Sequence, residues 1–234
     1  GKMEVTATAL MQALSEQQSL GAVQVVVVCG NNAELQTKLK DKTKWPAGVK
    51  VVPQRSTDTA ADDAQDQSGG GEPEVKVRLT VVGFVTDMEK WMLAADVVVT
   101  KAGPGAIAEA AATSTPCMLY DFLPGQEEGN VTFVKERGMG GYEDTPEKAA
   151  AKVCEWLRGG DEVLCKMGES AQSAAFPKAA LTIAQQITDM LRQLRMPTVR
   201  GDRPASQDQP SEAAEATAGD QQAAAGTTVA ASGE

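Results

Sequence analysis

The sequence contains no histidine, and this absence limits the chemistry that the chain can perform by itself. Ser-His-Asp triads, Cys-His dyads and His-ligated metal sites are all excluded within these 234 residues. No apolar run reaches the roughly 18 residues that a membrane-spanning helix needs. The four cysteines, at positions 29, 117, 154 and 165, form no CxxC pair. We therefore expect buried, hydrophobe-like thiols in a reducing compartment rather than a disulfide framework or a metal site.

The chain also lacks a basic excess, since it carries 22 Lys and Arg against 32 Asp and Glu, a net charge of -10. This balance argues against a nucleic-acid partner, because phosphate-backbone binders need clustered Lys and Arg. Two segments, 53–74 and 201–234, each carry a net charge of -5 and few large apolar residues. Such compositions cannot offset the entropy of ordering, so we predict that both are disordered. The sequence thus predicts a folded domain over 1–196 with an acidic insertion at 53–74, and a disordered tail over 197–234.

The first residue is Gly rather than Met, and helical spacing begins almost at once. No signal or transit peptide is visible in this stretch. We expect a fragment or one domain of a longer protein, with any targeting signal outside these residues.

Strand-like and helix-like segments alternate along the chain. The β-branched runs at 23–29 and 96–100 are typical of strands buried on both faces of a sheet. This alternation predicts an α/β fold, a Rossmann-like parallel sheet with helices on both faces. Ligands of such sheets bind beyond the carboxyl ends of the strands, which here are the loops after Cys29, Gly83, Thr100 and Tyr120.

Two closing helices are predicted at 146–157 and 170–194. The second helix carries apolar residues at helical spacing, and we expect them to complete the local core. These residues are Leu181, Ile183, Ile187 and Leu191. Packing against the other half of a longer protein is the alternative.

A glycine loop follows the predicted strand at 96–100 and opens a helix. Its residues Gly103, Pro104 and Gly105 lie within a GxGxxA pattern, and the next strand ends in Asp121. Glycines allow close approach of the backbone to a diphosphate, and the helix N-terminus supplies N–H donors. An NAD site is one interpretation, although its fingerprint normally lies in the first strand-helix unit. A nucleoside diphosphate with Glu109 on the ribose is another, and a tight turn without a ligand is a third.

A second polar loop, PGQEEGN at 124–130, follows the next predicted strand. Gln126, Glu127 and Asn130 carry amide and carboxylate groups, which are suited to paired hydrogen bonds with sugar hydroxyls. A solvated turn in which Asn130 caps the following helix is the alternative.

At these two loops the sequence resembles the monogalactosyldiacylglycerol synthases, which are GT-B glycosyltransferases of family 28. The resemblance rests on VVGFVTDMEKWMLAADVVVTKAGPGAIAEA followed by PGQEEGN, and it runs from about residue 3 to residue 157 without the acidic insertion. In that family the C-terminal domain binds the UDP-sugar donor. The chain is therefore expected to be the donor half of such an enzyme.

The resemblance implies a role for each loop. Gly83, Phe84 and Val85 would form the uracil pocket, largely through backbone groups. Gly103 and Gly105 would face the diphosphate, and Glu109 would bind the uridine ribose. The galactose would be held by Gln126 and Glu127, with Asn130 as a further candidate. Asp87 and Met88 fit the family pattern, but we expect them to shape the loop and the helix start.

The family's catalytic His and membrane-facing surface belong to an N-terminal acceptor domain, which this chain lacks. No catalytic residue, metal or covalent cofactor is therefore expected here, and UDP-galactose would be the donor substrate. Diacylglycerol would enter through the missing half, with peripheral attachment to a chloroplast envelope or thylakoid-related membrane. Two alternatives stay open: a related UDP-sugar transferase, using glucose or N-acetylglucosamine, and a non-catalytic nucleotide-binding subunit. The sequence does not decide between galactose and glucose, nor the acyl preference or the oligomeric state.

Overall fold

The computed structural model describes residues 1–54 and 76–193, together with the backbone of 227–231. Helices and strands alternate from the start of the chain, as predicted. Along the chain they are α1 (Lys2–Glu16), β1 (Val23–Val28), α2 (Ala33–Lys40), β2 (Val49–Val52), β3 (Val77–Val82), α3 (Met88–Leu93), β4 (Val97–Lys101), α4 (Pro104–Ala112), β5 (Cys117–Asp121), α5 (Glu128–Glu136), β6 (Gly140–Tyr142), α6 (Pro146–Ala174), α7 (Ala179–Gln193) and β7 (Thr227–Ala231).

The strands form one sheet in the order β2-β3-β1-β7-β4-β5-β6. Every pair among β1 to β6 is parallel, which confirms the predicted Rossmann-like sheet. The valine-rich β1 and β4 lie inside the sheet, where both faces of a strand are covered. Their register places the carboxyl ends of β1 and β3 at the same edge, and likewise those of β4 and β5.

Helices cover both faces of this sheet. On one face, Leu10 and Met11 of α1 pack with Val153 and Trp156 of α6 against alternate residues of the strands. On the other face, the core is built from α3, α4 and α5 residues such as Met92, Ile107 and Val134, which lie with Val98 and Leu119 of the sheet. These two apolar layers account for the alternation seen in the sequence.

Strand β7 is a difference from the prediction, because 197–234 was expected to be disordered. Residues 227–231 run antiparallel between β1 and β4 and pair with both. The run Thr-Thr-Val is β-branched and suits a strand, but the Ala- and Gly-rich surroundings hide it in the composition. The other residues of the predicted tail over 197–234, and residues 55–74 of the predicted insertion over 53–74, lie outside the described residues, so their disorder stays a prediction.

The closing helices also differ from the prediction. Helix α6 continues past 157 to Ala174, with a kink at Gly160, whose φ of 65° is accessible to glycine. After the kink, Ala171 and Ala174 join the second core layer. The predicted helix over 170–194 is divided in two, because α6 ends at Ala174 and α7 begins at Ala179, with Pro177 in the break.

Helix α7 belongs to a second compact unit and is described by itself. No residue of α7 is buried, so the expectation that its apolar residues complete the local core was wrong. Leu181, Ile183, Ile187 and Leu191 are each more than half exposed.

The cysteines follow the prediction at three of four positions. Cys29, Cys117 and Cys154 are buried, and burial raises the pKa of each thiol, to about 11, 12 and 11 respectively. Cys165 is exposed on α6, so the prediction of a buried thiol was wrong there.

Candidate functional site

The candidate site lies at the carboxyl edge of the sheet, at the loops that follow β3, β4 and β5. The chain builds β1, β2 and β3 on one side and β4, β5 and β6 on the other, with β7 between the two halves. The point where the strand order reverses between two such halves is where α/β sheets bind their ligands. The structure therefore brings the predicted loops to one edge of the sheet. Strand β7 lies between β1, the neighbour of β3, and β4, which carries the glycine loop.

The glycine loop forms the N-terminus of α4. Gly103 is the N-cap residue with extended backbone angles, Pro104 is the first helical residue, and no side chain caps this end. The backbone N–H groups of the first turn point out of the helix and favour an anion there. A Cβ added to Gly105 would meet no atom within 4 Å, and one added to Gly103 would meet only the Glu127 carboxylate, at 3.9 Å. Thus the fold itself does not require glycine at either position.

Glu109 lies one helical turn beyond Gly105 on α4, and its side chain is exposed. The backbone carbonyl of Glu109 accepts a hydrogen bond from the Thr113 hydroxyl at 3.0 Å, within the last turn of the helix. Because side chains on a helix lean toward its N-terminus, the exposed Glu109 side chain extends toward the end of α4 that the glycine loop forms.

The loop after β5 lies against the glycine loop. The Asn130 amide donates a hydrogen bond to the Ala102 carbonyl at 2.8 Å, and Glu127 accepts one from the Leu123 N–H at 2.8 Å. Helix α5 begins at Glu128, so the interpretation of Asn130 as a helix cap is wrong. Gln126 is exposed at the tip of this loop, beside Gly125, which adopts a positive φ of 79°.

The loop after β3 contains the predicted base pocket. Val85 packs on Val26, Val28 and Val82, which holds the loop against the sheet. The Phe84 ring beside it is 57% exposed, an apolar surface on which a planar base could stack. Asp87 is the N-cap residue of α3 and Met88 its first residue, so both lie at the helix start, as expected.

Two features of this edge, the ion pairs of Asp121 and the side chain of Gln36, were not predicted from the sequence. The first is Asp121, whose carboxylate pairs with Lys2 at 2.5 Å and with Lys101 at 4.0 Å. The Asp121 carboxylate raises the pKa of Lys2. Both carboxylate oxygens of Asp121 therefore have lysine partners in this structure. Only the position of Asp121 at a strand end indicated its importance.

The second feature is Gln36 on α2, which lies beside Gly83 at the start of the loop after β3. Its amide nitrogen is 3.4 Å from the Gly30 carbonyl oxygen, to which it donates. No motif marks this residue, because its contact with the β3 loop depends on the parallel pairing of β1 with β3.

Residues 6–122, half of the chain, match the glycosyltransferase family 28 C-terminal domain. The chain belongs to this family. The match ends just after Asp121, so it includes the loop after β3, the glycine loop and Glu109.

Curated relatives agree with this assignment. Monogalactosyldiacylglycerol synthase 3, chloroplastic, of Arabidopsis thaliana is 34% identical over 194 residues, which cover 82% of this chain and 35% of that protein. Monogalactosyldiacylglycerol synthase 1, chloroplastic, of the same plant is 33% identical and is covered to 30%. The chain thus spans about a third of the length of the relatives it matches.

Among solved structures, MurG of Acinetobacter baumannii aligns over 79% of this chain and 53% of its own, with a TM-score of 0.44 and 17% identity. The calicheamicin glycosyltransferase CalG4 aligns over 77% of this chain and 46% of its own, with a TM-score of 0.39 and 17% identity.

The described part of the chain contains no helix that is long and apolar enough to cross a bilayer. Within the same residues, no group of three or more His, Cys, Asp or Glu side chains is placed to hold a metal ion.

Proposed function

We propose that the chain is the donor-binding domain of an inverting transferase that moves galactose from UDP-galactose to diacylglycerol. The observation that carries the proposal is the glycine loop, whose glycines leave the α4 N-terminus open although the packing does not require them. The family assignment and the names of the relatives support a glycosyl donor and a galactolipid product. By the same names, we infer a chloroplast membrane as the site of action, with peripheral attachment.

The three loops would divide the donor between them. The uracil would lie at Gly83, Phe84 and Val85, and the diphosphate at the N–H groups of Gly103 and Gly105, with Pro104 fixing the first turn. Glu109 would bind the ribose, and Gln126 and Glu127 would hold the galactose. In this arrangement Asn130 positions the glycine loop through the Ala102 carbonyl, because its amide donates there.

Catalysis by this domain would act on the leaving group. As the acceptor hydroxyl attacks the anomeric carbon, the bond to the UDP oxygen breaks and negative charge grows on the diphosphate. The N–H groups and dipole at the start of α4 would stabilise that charge. Lys101, two residues before Gly103, would add positive charge. The base that removes the proton of the acceptor hydroxyl would come from a part of the protein outside this chain.

Calorimetric titration of the chain with UDP, UDP-galactose, UDP-glucose and NAD tests this proposal. We expect saturable binding of UDP, tighter binding of UDP-galactose than of UDP-glucose, and no response to NAD. A preference for UDP-glucose would replace the galactosyl donor with a glucosyl one. NAD binding without UDP binding would refute the proposed function. We also expect little or no galactosyl transfer by this chain alone, and normal turnover in a galactosylation assay would contradict the external base.

A further inference from the structure

The contact between Gln36 and Gly83 is closer than a side chain at position 83 would allow. A Cβ added to Gly83 would lie 2.9 Å from the Gln36 amide nitrogen and 3.6 Å from its amide oxygen. Gly83 has no left-handed φ, so backbone conformation does not demand glycine there. Within the described structure, the Gln36 carboxamide is the group that an alanine at this position would meet. The missing side chain therefore lets an amide approach the first residue of the β3 loop.

The position of Gln36 is set by the helix that carries it. Asn32 caps α2 by accepting a hydrogen bond from the Leu35 N–H at 2.9 Å. Leu35 and Leu39 are buried in the core beneath the helix. Gln36 follows Leu35 directly and is only partly exposed, so its carboxamide starts from a fixed point at the carboxyl edge.

The carboxamide has hydrogen-bonding capacity left over. One of its two N–H groups is directed at the Gly30 carbonyl, which leaves one N–H donor and the amide oxygen as an acceptor. The imide edge of uracil presents the complementary pair, an N–H donor next to a carbonyl acceptor. Cytosine presents a ring-nitrogen acceptor and an amino donor in the same places.

We propose that Gln36 is the base-specificity residue of this domain, and that its carboxamide reads the imide edge of a uracil bound at the β3 loop. The assignment rests on the proposed function, since it takes the base pocket to be at 83–85. A site built to hydrogen-bond one edge rejects a base with the opposite pattern, because its polar groups are then left unpaired. Backbone groups of the loop would bind the base, and Gln36 would select it.

The test is the ratio of the Kd for CDP to the Kd for UDP, measured by calorimetry on the whole chain. We expect the unchanged protein to prefer UDP. Gln36→Met keeps the length of the side chain and removes its polar groups, so the ratio should fall by roughly tenfold. Gln36→Glu should lower the ratio at least as far, because a carboxylate repels the uracil carbonyl and accepts from the cytosine amino group.

A second substitution displaces the Gln36 carboxamide without changing Gln36 itself. Gly83→Ala should push the Gln36 side chain aside and also lower the ratio, whereas a purely steric effect on the base would weaken UDP and CDP alike. Gln24→Met is the matched control, since Gln24 lies at the start of β1, at the opposite edge of the sheet. Its ratio should not change.

Each outcome decides the assignment. A ratio that is unchanged in Gln36→Met, in a protein that still binds UDP through Glu109, overturns the role of Gln36 and leaves the proposed function standing. Equal affinity of the unchanged protein for UDP and CDP also overturns it. Failure of the unchanged protein to bind UDP refutes the proposed function and the assignment together.

Discussion

Glycines of this domain serve two different purposes, which the structure separates. At Gly140, an added Cβ would lie 1.9 Å from the Cys117 carbonyl oxygen, so the pairing of β5 with β6 excludes a side chain. At Gly105, an added Cβ would meet nothing within 4 Å, although this residue lies inside a helix where alanine is preferred. A glycine that the fold does not need points to a ligand that approaches the backbone.

The substitution Gly105→Ala should therefore separate stability from binding. We expect the free energy of unfolding to stay level or rise by up to about 1 kcal/mol, because alanine favours the helix. The affinity for UDP should fall by about tenfold or more, since the methyl group would occupy the path of the diphosphate. Urea denaturation and calorimetry measure the two effects on the same sample.

Gly140→Ala provides the comparison at the residue scale. It should lower the free energy of unfolding by about 1–3 kcal/mol, because backbone must move to admit the Cβ. An unchanged UDP affinity in Gly105→Ala would contradict the placement of the diphosphate at α4.

At the scale of elements, local composition was sufficient to predict most of the strands and helices. The β-branched runs predicted β1 and β4 to within a residue at either end. Helix α6 was cut short in the prediction, because two glycines at 159–160 suggest an end, whereas the helix kinks and continues. Strand β7 could not be found, since its pairing with β1 and β4 joins residues about 130 to 200 positions apart.

The link between α5 and the glycine loop also gives a prediction. Asn130→Asp removes the donor to the Ala102 carbonyl and sets a carboxylate against it. We expect the free energy of unfolding to fall by about 1–3 kcal/mol and the affinity for UDP to fall with it. Urea denaturation and calorimetry report these changes, and Gln24→Glu, at the exposed start of β1 on the opposite edge of the sheet, is the control.

The same titration separates two roles for Asn130. A positioning residue affects UDP and UDP-galactose alike, because it acts through the glycine loop. A loss confined to UDP-galactose would instead place Asn130 directly on the sugar, as the family resemblance suggests.

At the scale of the whole molecule, buried ionisable groups make stability depend on pH. Burial raises the pKa of Cys117 to about 12 and that of Tyr120 to about 12, and the Asp121 carboxylate contributes to the shift of Tyr120. An unfolded chain loses these protons near pH 9 for a thiol and 10 for a phenol. At pH values between the unfolded and folded pKa values, the folded state binds more protons than the unfolded state. The contribution of these groups to the free energy of unfolding is therefore fully present below pH 9 and is lost as the pH rises.

The contribution of one thiol can be isolated. For Cys117, the free energy of unfolding should fall by up to about 1.4 kcal/mol per pH unit above pH 9. Urea denaturation at pH 7.5 and pH 10 should therefore show a smaller fall in Cys117→Ala than in the unchanged protein. The exposed Cys165 supplies the control, and Cys165→Ala should keep the full fall. Equal falls in both variants would contradict the account.

The candidate site was predictable only in part, because some of its residues form continuous motifs and others come together only through the fold. The glycine loop and PGQEEGN are continuous motifs, and adjacent parallel strands bring them together. Gln36 and the Lys2–Asp121–Lys101 cluster come from residues that are distant in the chain, so their contacts exist only once the sheet has formed. These residues are also of types that are common on protein surfaces, and their spacing in the sequence matches no binding motif.

Calorimetric titration of Glu109→Ala with UDP tests most directly whether a nucleotide binds at the glycine loop. We expect the affinity to fall by about tenfold or more, because the Glu109 carboxylate would accept hydrogen bonds from two ribose hydroxyls. Glu136→Ala, an exposed glutamate at the end of α5, should bind UDP as the unchanged protein does. Equal affinities in the two variants would contradict a nucleotide held at the glycine loop.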